Sequence, residues 1–323
     1  MADFAFVFPG QGSQVVGMLD AWGDHPAVRD TLAEASAALG AAGEADNDLA
    51  RLIHDGPKAT LDLTVNTQIV MLAAAVACYR AWRAEGGAAP AAAAGHSLGE
   101  YSALVAAEAL TLADAVPLVR QRAQAMQDAV PPGAGGMVAV LGLDAALVTK
   151  ICAQVQADSG QAVSAANFND PRQTVISGAI AALAMASDAL LAAGAKRLLP
   201  LAVSAPFHSP LMLPAAERLK EHLAGVSFSR PLFPVINNVD VAVEQTPERI
   251  RDALVRQAYM PVRWVEVMQA LRGRGLQNII ECGPGKVLAK IVVRTYPELK
   301  TAALLDPASL RLVKDMLVTE MLA

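Results

Sequence analysis

The segment Gly95-His96-Ser97-Leu98-Gly99 fits the pattern G-x-S-x-G. It follows the apolar run Ala91–Ala94 and precedes a helical pattern that resumes at Tyr101. A serine on a tight strand-to-helix turn has a strained backbone and a projecting hydroxyl, and small residues two positions to either side let the backbone pack closely. The N–H groups of the following helix point toward such a site. The plainer alternative is a glycine turn with an N-capping serine; the strand–turn–helix setting favours a nucleophile.

A serine hydroxyl is a weak nucleophile and needs a base. The chain offers His25, His54, His96, His208 and His222. His96 adjoins Ser97, and neighbouring side chains on such a turn diverge. His25 and His54 stand in polar surroundings that read as exposed, and His222 lies on a charged helical stretch with Glu217, Lys220 and Glu221. His208 lies in Ser204-Ala205-Pro206-Phe207-His208-Ser209-Pro210, after an apolar strand and between prolines that restrict the backbone. A rigid loop at a strand end suits a base. The alternative is a turn histidine satisfied by local hydrogen bonds, and spacing alone leaves both open.

One cation falls where a cation should not. With about 100° per residue, Leu118, Val119, Ala123, Met126, Ala129 and Val130 share one helical face, and Arg122 lies in its middle; Arg120 falls on the wet side. A guanidinium aimed at a core must be paired, either by a structural carboxylate or by a substrate. Its planar fork matches a carboxylate with two parallel hydrogen bonds. Lys286, Lys290 and Arg294 recur every four residues and share another face, which reads as a basic patch or as a solvated surface. Gly283-Pro284-Gly285-Lys286 lacks full P-loop spacing and reads as a tight strand-to-helix turn.

The hydrophobic pattern supplies the scaffold for these side chains. Phe4–Phe8 is a short buried strand stopped by Pro9-Gly10. Helical patterns cover 27–39, 65–84 and 111–130. Pro131-Pro132-Gly133 and Gly135-Gly136 mark a break. Beyond it come a strand over 137–143, a helix over 145–157, strands over 162–166 and 174–177, a helix over 181–193 and a strand over 197–203. That order suits a small α+β unit with an antiparallel sheet. Longer helices and buried strands at 235–237 and 277–282 follow. The expectation is an α/β protein: one discontinuous domain, 1–131 with 203–323, carrying an insert at 132–202.

With 54% hydrophobic residues, much of them alanine, and only 4% aromatic residues, the composition points to closely packed helices rather than a β-sandwich. A net charge of −5 argues against a nucleic-acid binder. Cys78, Cys152 and Cys282 show neither metal spacing nor a disulfide framework, so a reducing cytoplasm is expected. Met1-Ala2-Asp3-Phe4 has no basic segment before an apolar run, and no secretory signal is expected. The stretch 69–79 is too short to span a bilayer, so no membrane association is expected.

Taken together, these residues resemble the malonyl-CoA:acyl carrier protein transacylases of fatty acid synthesis and the acyltransferase domains of polyketide synthases. The matching pieces are Phe8-Pro9-Gly10-Gln11-Gly12-Ser13-Gln14, the Ser97 turn through Tyr101, Arg122, Asn167-Phe168-Asn169, Phe207-His208-Ser209, Asn237-Asn238-Val239, Gln257 and Glu281-Cys282-Gly283-Pro284-Gly285. They run in order along nearly the whole chain. The resemblance implies a large α/β-hydrolase-like domain with a small ferredoxin-like insert. It implies Ser97 as acylated nucleophile, His208 as base, and the Gln11 and Leu98 N–H groups as oxyanion hole. Arg122 would pair with the malonyl carboxylate, Gln257 would hold His208 through its backbone carbonyl, and Phe207 would narrow the space around the substrate's α-carbon. Coenzyme A enters as part of the substrate, with no metal and no bound cofactor. The partners expected are malonyl-CoA and an acyl carrier protein, docked on Lys286, Lys290 and Arg294; a monomer is expected.

Two departures stand out. Many members have proline after the glutamine matched by Gln68, where this chain has Ile69. Pro117 lies near the start of the Arg122 helix, which either starts late or kinks there. The competing functions are a serine esterase or thioesterase, which would place an acid between serine and histidine in sequence, and a non-catalytic carrier-protein docking subunit, which would be expected to have lost Ser97 or His208. A stand-alone acyltransferase of a polyketide or malonate-processing system is a variant of the first reading.

Overall fold

The computed structural model describes residues 3–43 and 48–321. Strand β1 (Phe4–Phe8) is followed by helices α1 (Pro26–Ala41), α2 (Leu49–Asp55), α3 (Lys58–Leu61) and α4 (Thr64–Ala84), then by β2 (Ala92–Gly95), α5 (Gly99–Ala106) and α6 (Leu112–Asp128). A second unit comprises β3 (Gly135–Leu141), α7 (Ala145–Ser159), β4 (Val163–Asp170), β5 (Gln173–Ala179), α8 (Ile180–Ala192) and β6 (Arg197–Pro200). The chain returns through α9 (Leu213–Ala224), β7 (Val235–Ile236), α10 (Pro247–Gln257), α11 (Trp264–Gly273), β8 (Asn278–Cys282), α12 (Val287–Thr295), β9 (Lys300–Leu304) and α13 (Pro307–Met321).

The first sheet has the order β7-β2-β1-β8-β9, and every pairing in it is parallel. Strands β7, β2, β1 and β8 are buried on both faces, and the two-residue period of a strand divides their side chains. Phe4, Phe6, Phe8, Ala93, Ile280 and Cys282 face one core, which α4 fills. Ala5, Val7, Ala92, Ala94, Ile236 and Ile279 face the other, which α11 and α12 fill. The chain leaves β1 toward β2 and β7, then crosses to β8 on the opposite side of β1. In open parallel sheets, ligands bind beyond the carboxyl ends of the strands at such a reversal.

The second sheet is antiparallel, in the order β4-β5-β3-β6. One face packs on α7 and α8 through Val140, Val148, Ile176 and Leu190. The other lays Met137, Ala139 and Val175 against Met126 of α6 and against Phe207 and Met212. The protein is thus an α/β molecule with a parallel sheet and a separate antiparallel one, joined by an apolar contact.

The expected strands and helices recur with shifted ends. The strand expected over 197–203 runs only over Arg197–Pro200, although the Leu201 N–H still donates to Met137 O at 3.0 Å. Pro117 neither delays nor ends α6: the helix starts at Leu112, with Thr111 Oγ1 accepting the Asp114 N–H at 3.0 Å, and continues through the proline. Arg120, expected on the wet side, is half-buried because it donates to Val65 O and Asn66 Oδ1 at the start of α4. His25 is likewise half-buried, its ring set edge-on against Trp22.

Candidate active site

The carboxyl ends of β1 and β2 open into a cleft of about 460 Å³, with the second sheet as its far wall. Gln11, Ser97, Leu98, Arg122, Phe207 and His208 all line it. Sequence-distant residues thus converge as expected, and Gln257 stands directly behind them.

Ser97 lies between β2 and α5 with φ of 53°, a left-handed conformation that a serine rarely adopts. The flanking glycines make the turn possible. A Cβ at Gly95 would run into the Gly99 carbonyl, and one at Gly99 would run into the Phe8 carbonyl of β1. The turn is clamped from outside as well: Asn238 Oδ1 accepts the Ser97 N–H at 2.8 Å, and Asn238 Nδ2 donates to Gly95 O at 2.7 Å. His96 points away from the serine toward Asn169 Oδ1, at 2.8 Å.

His208, also left-handed with φ of 56°, places Nε2 2.7 Å from Ser97 Oγ. Its Nδ1 lies 2.8 Å from the backbone carbonyl of Gln257. A carbonyl can only accept, so Nδ1 carries the hydrogen and Nε2 is left to accept the serine proton. Burial, with the nearby Arg122 cation, pushes the imidazole down to about 3, so it is a neutral base near pH 7.

The Arg122 guanidinium is 1% exposed. It donates to Gln68 Oε1 at 2.6 Å, to Gln257 Oε1 at 3.0 Å and to Ser97 Oγ at 3.3 Å, all neutral oxygens. Burial lowers its proton affinity, and the neighbouring Tyr101 and Glu100 oppose that. A buried cation in contact with amide and hydroxyl oxygens, at the edge of a cleft, has the geometry to pair with an anionic group. The backbone N–H groups of Gln11 and Leu98 have no acceptor among the described residues and lie in the same cleft as Ser97 Oγ.

Lys286, Lys290 and Arg294 are exposed at and along α12. Arg294 is not a free charge: it pairs with Asp170 and donates to Gln173 Oε1 at 2.7 Å, tying α12 to the second sheet. Sequence reasoning gave no role to Gln68, Glu100, His96 or Asn169. Gln68 adjoins the departure at Ile69, and Asn169 and Asn238 stand in the asparagine motifs, which were the available signals. Among the described residues no group of His, Cys, Asp and Glu is arranged to hold a metal ion.

Fold and cleft define a class: an α/β protein whose cleft sets a serine hydroxyl against a histidine backed by a carbonyl rather than a carboxylate. The chain belongs to the acyl transferase domain family, whose model matches residues 5–318. It is 50% identical over 311 residues to the malonyl CoA-acyl carrier protein transacylase of Escherichia coli (strain K12), covering 96% of this chain and 98% of that protein. Among solved structures, the acyl-carrier-protein S-malonyltransferase of Burkholderia pseudomallei 1710b superposes with a TM-score of 0.92 at 56% identity, over 97% of this chain and 99% of that one. A malonyl-transacylase solved in complex with its type II PKS acyl-carrier protein is 48% identical, with a TM-score of 0.92 over 96% of this chain and 98% of that one.

Proposed function

We propose that this protein transfers a malonyl group from malonyl-CoA to the phosphopantetheine thiol of an acyl carrier protein in fatty acid biosynthesis, by a ping-pong cycle through malonyl-Ser97. The observation that carries this is the buried Arg122 fork 3.3 Å from the Ser97 hydroxyl, which itself lies 2.7 Å from a neutral imidazole. A nucleophile beside a carboxylate receptor selects an acyl group that ends in a carboxylate. The names of the relatives point the same way.

His208 Nε2 takes the Ser97 proton as Oγ attacks the thioester carbon. The oxyanion forms against the Gln11 and Leu98 N–H groups, each such donor being worth about 3 kcal/mol. Collapse expels the coenzyme A thiolate, which takes the proton from the imidazolium. The carrier thiol then gives its proton to Nε2 and attacks the malonyl ester, restoring Ser97. The Gln257 carbonyl keeps the imidazole in the required tautomer, and Phe207 narrows the space around the acyl α-carbon. Coenzyme A is substrate, and no bound cofactor is assigned.

An esterase would be expected to back His208 with an acid; the carbonyl at that position favours the transferase. Residues 1–131 and 203–323 are assigned to an α/β-hydrolase-like catalytic domain and 132–202 to a ferredoxin-like insert; residues 1, 2, 44–47, 322 and 323 lie outside the described ones. The β-α-β-β-α-β order and the strand order of the second sheet support the latter assignment. The carrier docks along the Lys286 and Lys290 side of α12, and the protein acts as a cytoplasmic monomer; no helix among the described residues is long and apolar enough to cross a membrane.

The test is intact mass spectrometry after brief mixing with malonyl-CoA. An adduct of malonyl mass should form, disappear when carrier protein is added, and be absent in Ser97→Ala. An adduct that persists in Ser97→Ala would overturn the assignment.

A further inference from the structure

Glu100 follows the second glycine of the serine turn and is 2% exposed. Its Oε2 accepts the Gln257 side-chain amide at 2.9 Å and the Asn238 backbone N–H at 3.0 Å. Each donor residue holds part of the catalytic cleft. Gln257 also donates to Ser97 O at 3.0 Å, accepts from Arg122 at 3.0 Å and orients His208 through its carbonyl. Asn238 accepts the Ser97 N–H. One carboxyl oxygen is therefore linked, through a single intervening residue, to the nucleophile, the base and the carboxylate receptor.

In the free cleft Glu100 is the carboxyl that faces the Arg122 cation, across the Gln257 amide. Docking a second carboxylate on Arg122 puts two negative charges beside one cation in a site largely closed to water. The arrangement is relieved if Glu100 becomes neutral. Oε2 is already filled by two donors, so the proton goes to Oε1. The other groups around it do not compete near neutrality. Tyr101, its neighbour on α5, is pushed up to about 12 by burial. His208 lies at about 3. Asp240, in the loop after β7, is held low by Arg256, which it accepts at 2.6 and 2.7 Å. Burial raises Glu100 itself to about 7, against the pull of its two donors and of Arg122.

We propose that Glu100 is a proton-linked positioning residue: it takes up a solvent proton as an acyl carboxylate docks on Arg122, while its hydrogen bonds keep Gln257 and Asn238 in register with Ser97 and His208. This rests on Arg122 as the carboxylate receptor.

The test is calorimetric titration of the Ser97→Ala protein with malonyl-CoA at pH 7, in two buffers of different ionisation heat. A group titrating near that pH can take up at most about half a proton per site. Uptake approaching that is expected with malonyl-CoA, in excess of any seen with acetyl-CoA, which has no carboxylate on its acyl group. It should vanish when Glu100→Gln is added, which retains an oxygen acceptor. In turnover, the KM for malonyl-CoA should rise as pH increases above 7 in the native enzyme and stay flat in Glu100→Gln; a purely structural role would not produce that difference. Equal proton counts for the two thioesters, or undiminished uptake in the Glu100→Gln protein, overturns the proposal. If malonyl-CoA binds more tightly than acetyl-CoA but without extra protons, the failure is that of Glu100 alone. If the two bind equally, the Arg122 assignment fails and this inference with it.

Discussion

Ser97 and His208 both have left-handed backbones, yet they are secured differently. The serine rides on a strand–turn–helix in which backbone touches backbone: Gly95 and Gly99 leave no room for one more carbon. The histidine stands in a loop without regular structure, fixed by Pro206 and Pro210, by the Ser209 hydroxyl donating to Pro206 O at 2.7 Å and by the Gln257 carbonyl. Close packing fixes the first, and directed hydrogen bonds fix the second. Packing fails steeply when atoms are added, whereas hydrogen bonds fail in smaller, separable steps.

The largest effect should therefore come from the serine side. Gly99→Ala should cost about 3 kcal/mol in denaturant unfolding and remove activity with it, because its neighbour is strand backbone that cannot move aside. Stability within a few tenths of a kcal/mol of the native protein would show that the turn is not close-packed. Arg122, which touches both regions through Ser97 and Gln257, comes next. Arg122→Ala should lower kcat/KM for malonyl-CoA about 100-fold more than for acetyl-CoA. Equal losses in a folded variant would make the arginine structural.

The histidine side has a pH signature. His208 is depressed from an ordinary value of 6.5 to about 3, so below pH 6.5 the unfolded chain binds a proton that the folded chain refuses. Stability should fall as pH is lowered through that window. Between pH 7 and about pH 5 the native protein should lose about 2 kcal/mol relative to His208→Gln, with the two running parallel above pH 7. Glu100 contributes with the opposite sign, stability being lost as pH rises from 4.5 toward 7, and it cancels in the comparison because both proteins carry it. Parallel curves down to pH 5 would show that His208 is not desolvated. The smallest change is Ser209→Ala, which removes one loop hydrogen bond and should cost about 1 kcal/mol with less than a tenfold drop in kcat. A loss as large as that of Gly99→Ala would erase the distinction between the two sides.

The same contrast explains what could be read from the sequence. The strand Phe4–Phe8, the serine turn and the buried Arg122 follow from local spacing, because period and glycine placement are properties of neighbours along the chain. The alternation that divides Phe6 from Val7 between two cores is equally local. Strand β9 was not foreseen: Lys300–Leu304 is only partly buried at the sheet edge, and its pattern carries little contrast. The second tier of the cleft was not foreseen either. Gln68, Glu100, Asn169 and Asn238 act through partners far away in sequence, and a buried amide has no period. Gln257 behind His208 came from the family resemblance alone, since a backbone carbonyl has no residue-type signature.

The second sheet is not docked by side chains alone. Phe168 N–H donates to Val262 O at 2.9 Å, Val262 N–H donates to Ala166 O at 2.8 Å, and Arg294 reaches Asp170 from α12. Strand β4 thus continues its ladder into the segment between α10 and α11. The unit that carries the second sheet is therefore not a cassette. Excising 132–202, or exchanging it for that of a relative, would open a backbone ladder close to Asn169, the partner of His96 beside Ser97. Chimaeras that transplant this unit should work when the residues around Val262 travel with it, so the natural unit of recombination is larger than the stretch of chain between its two crossings.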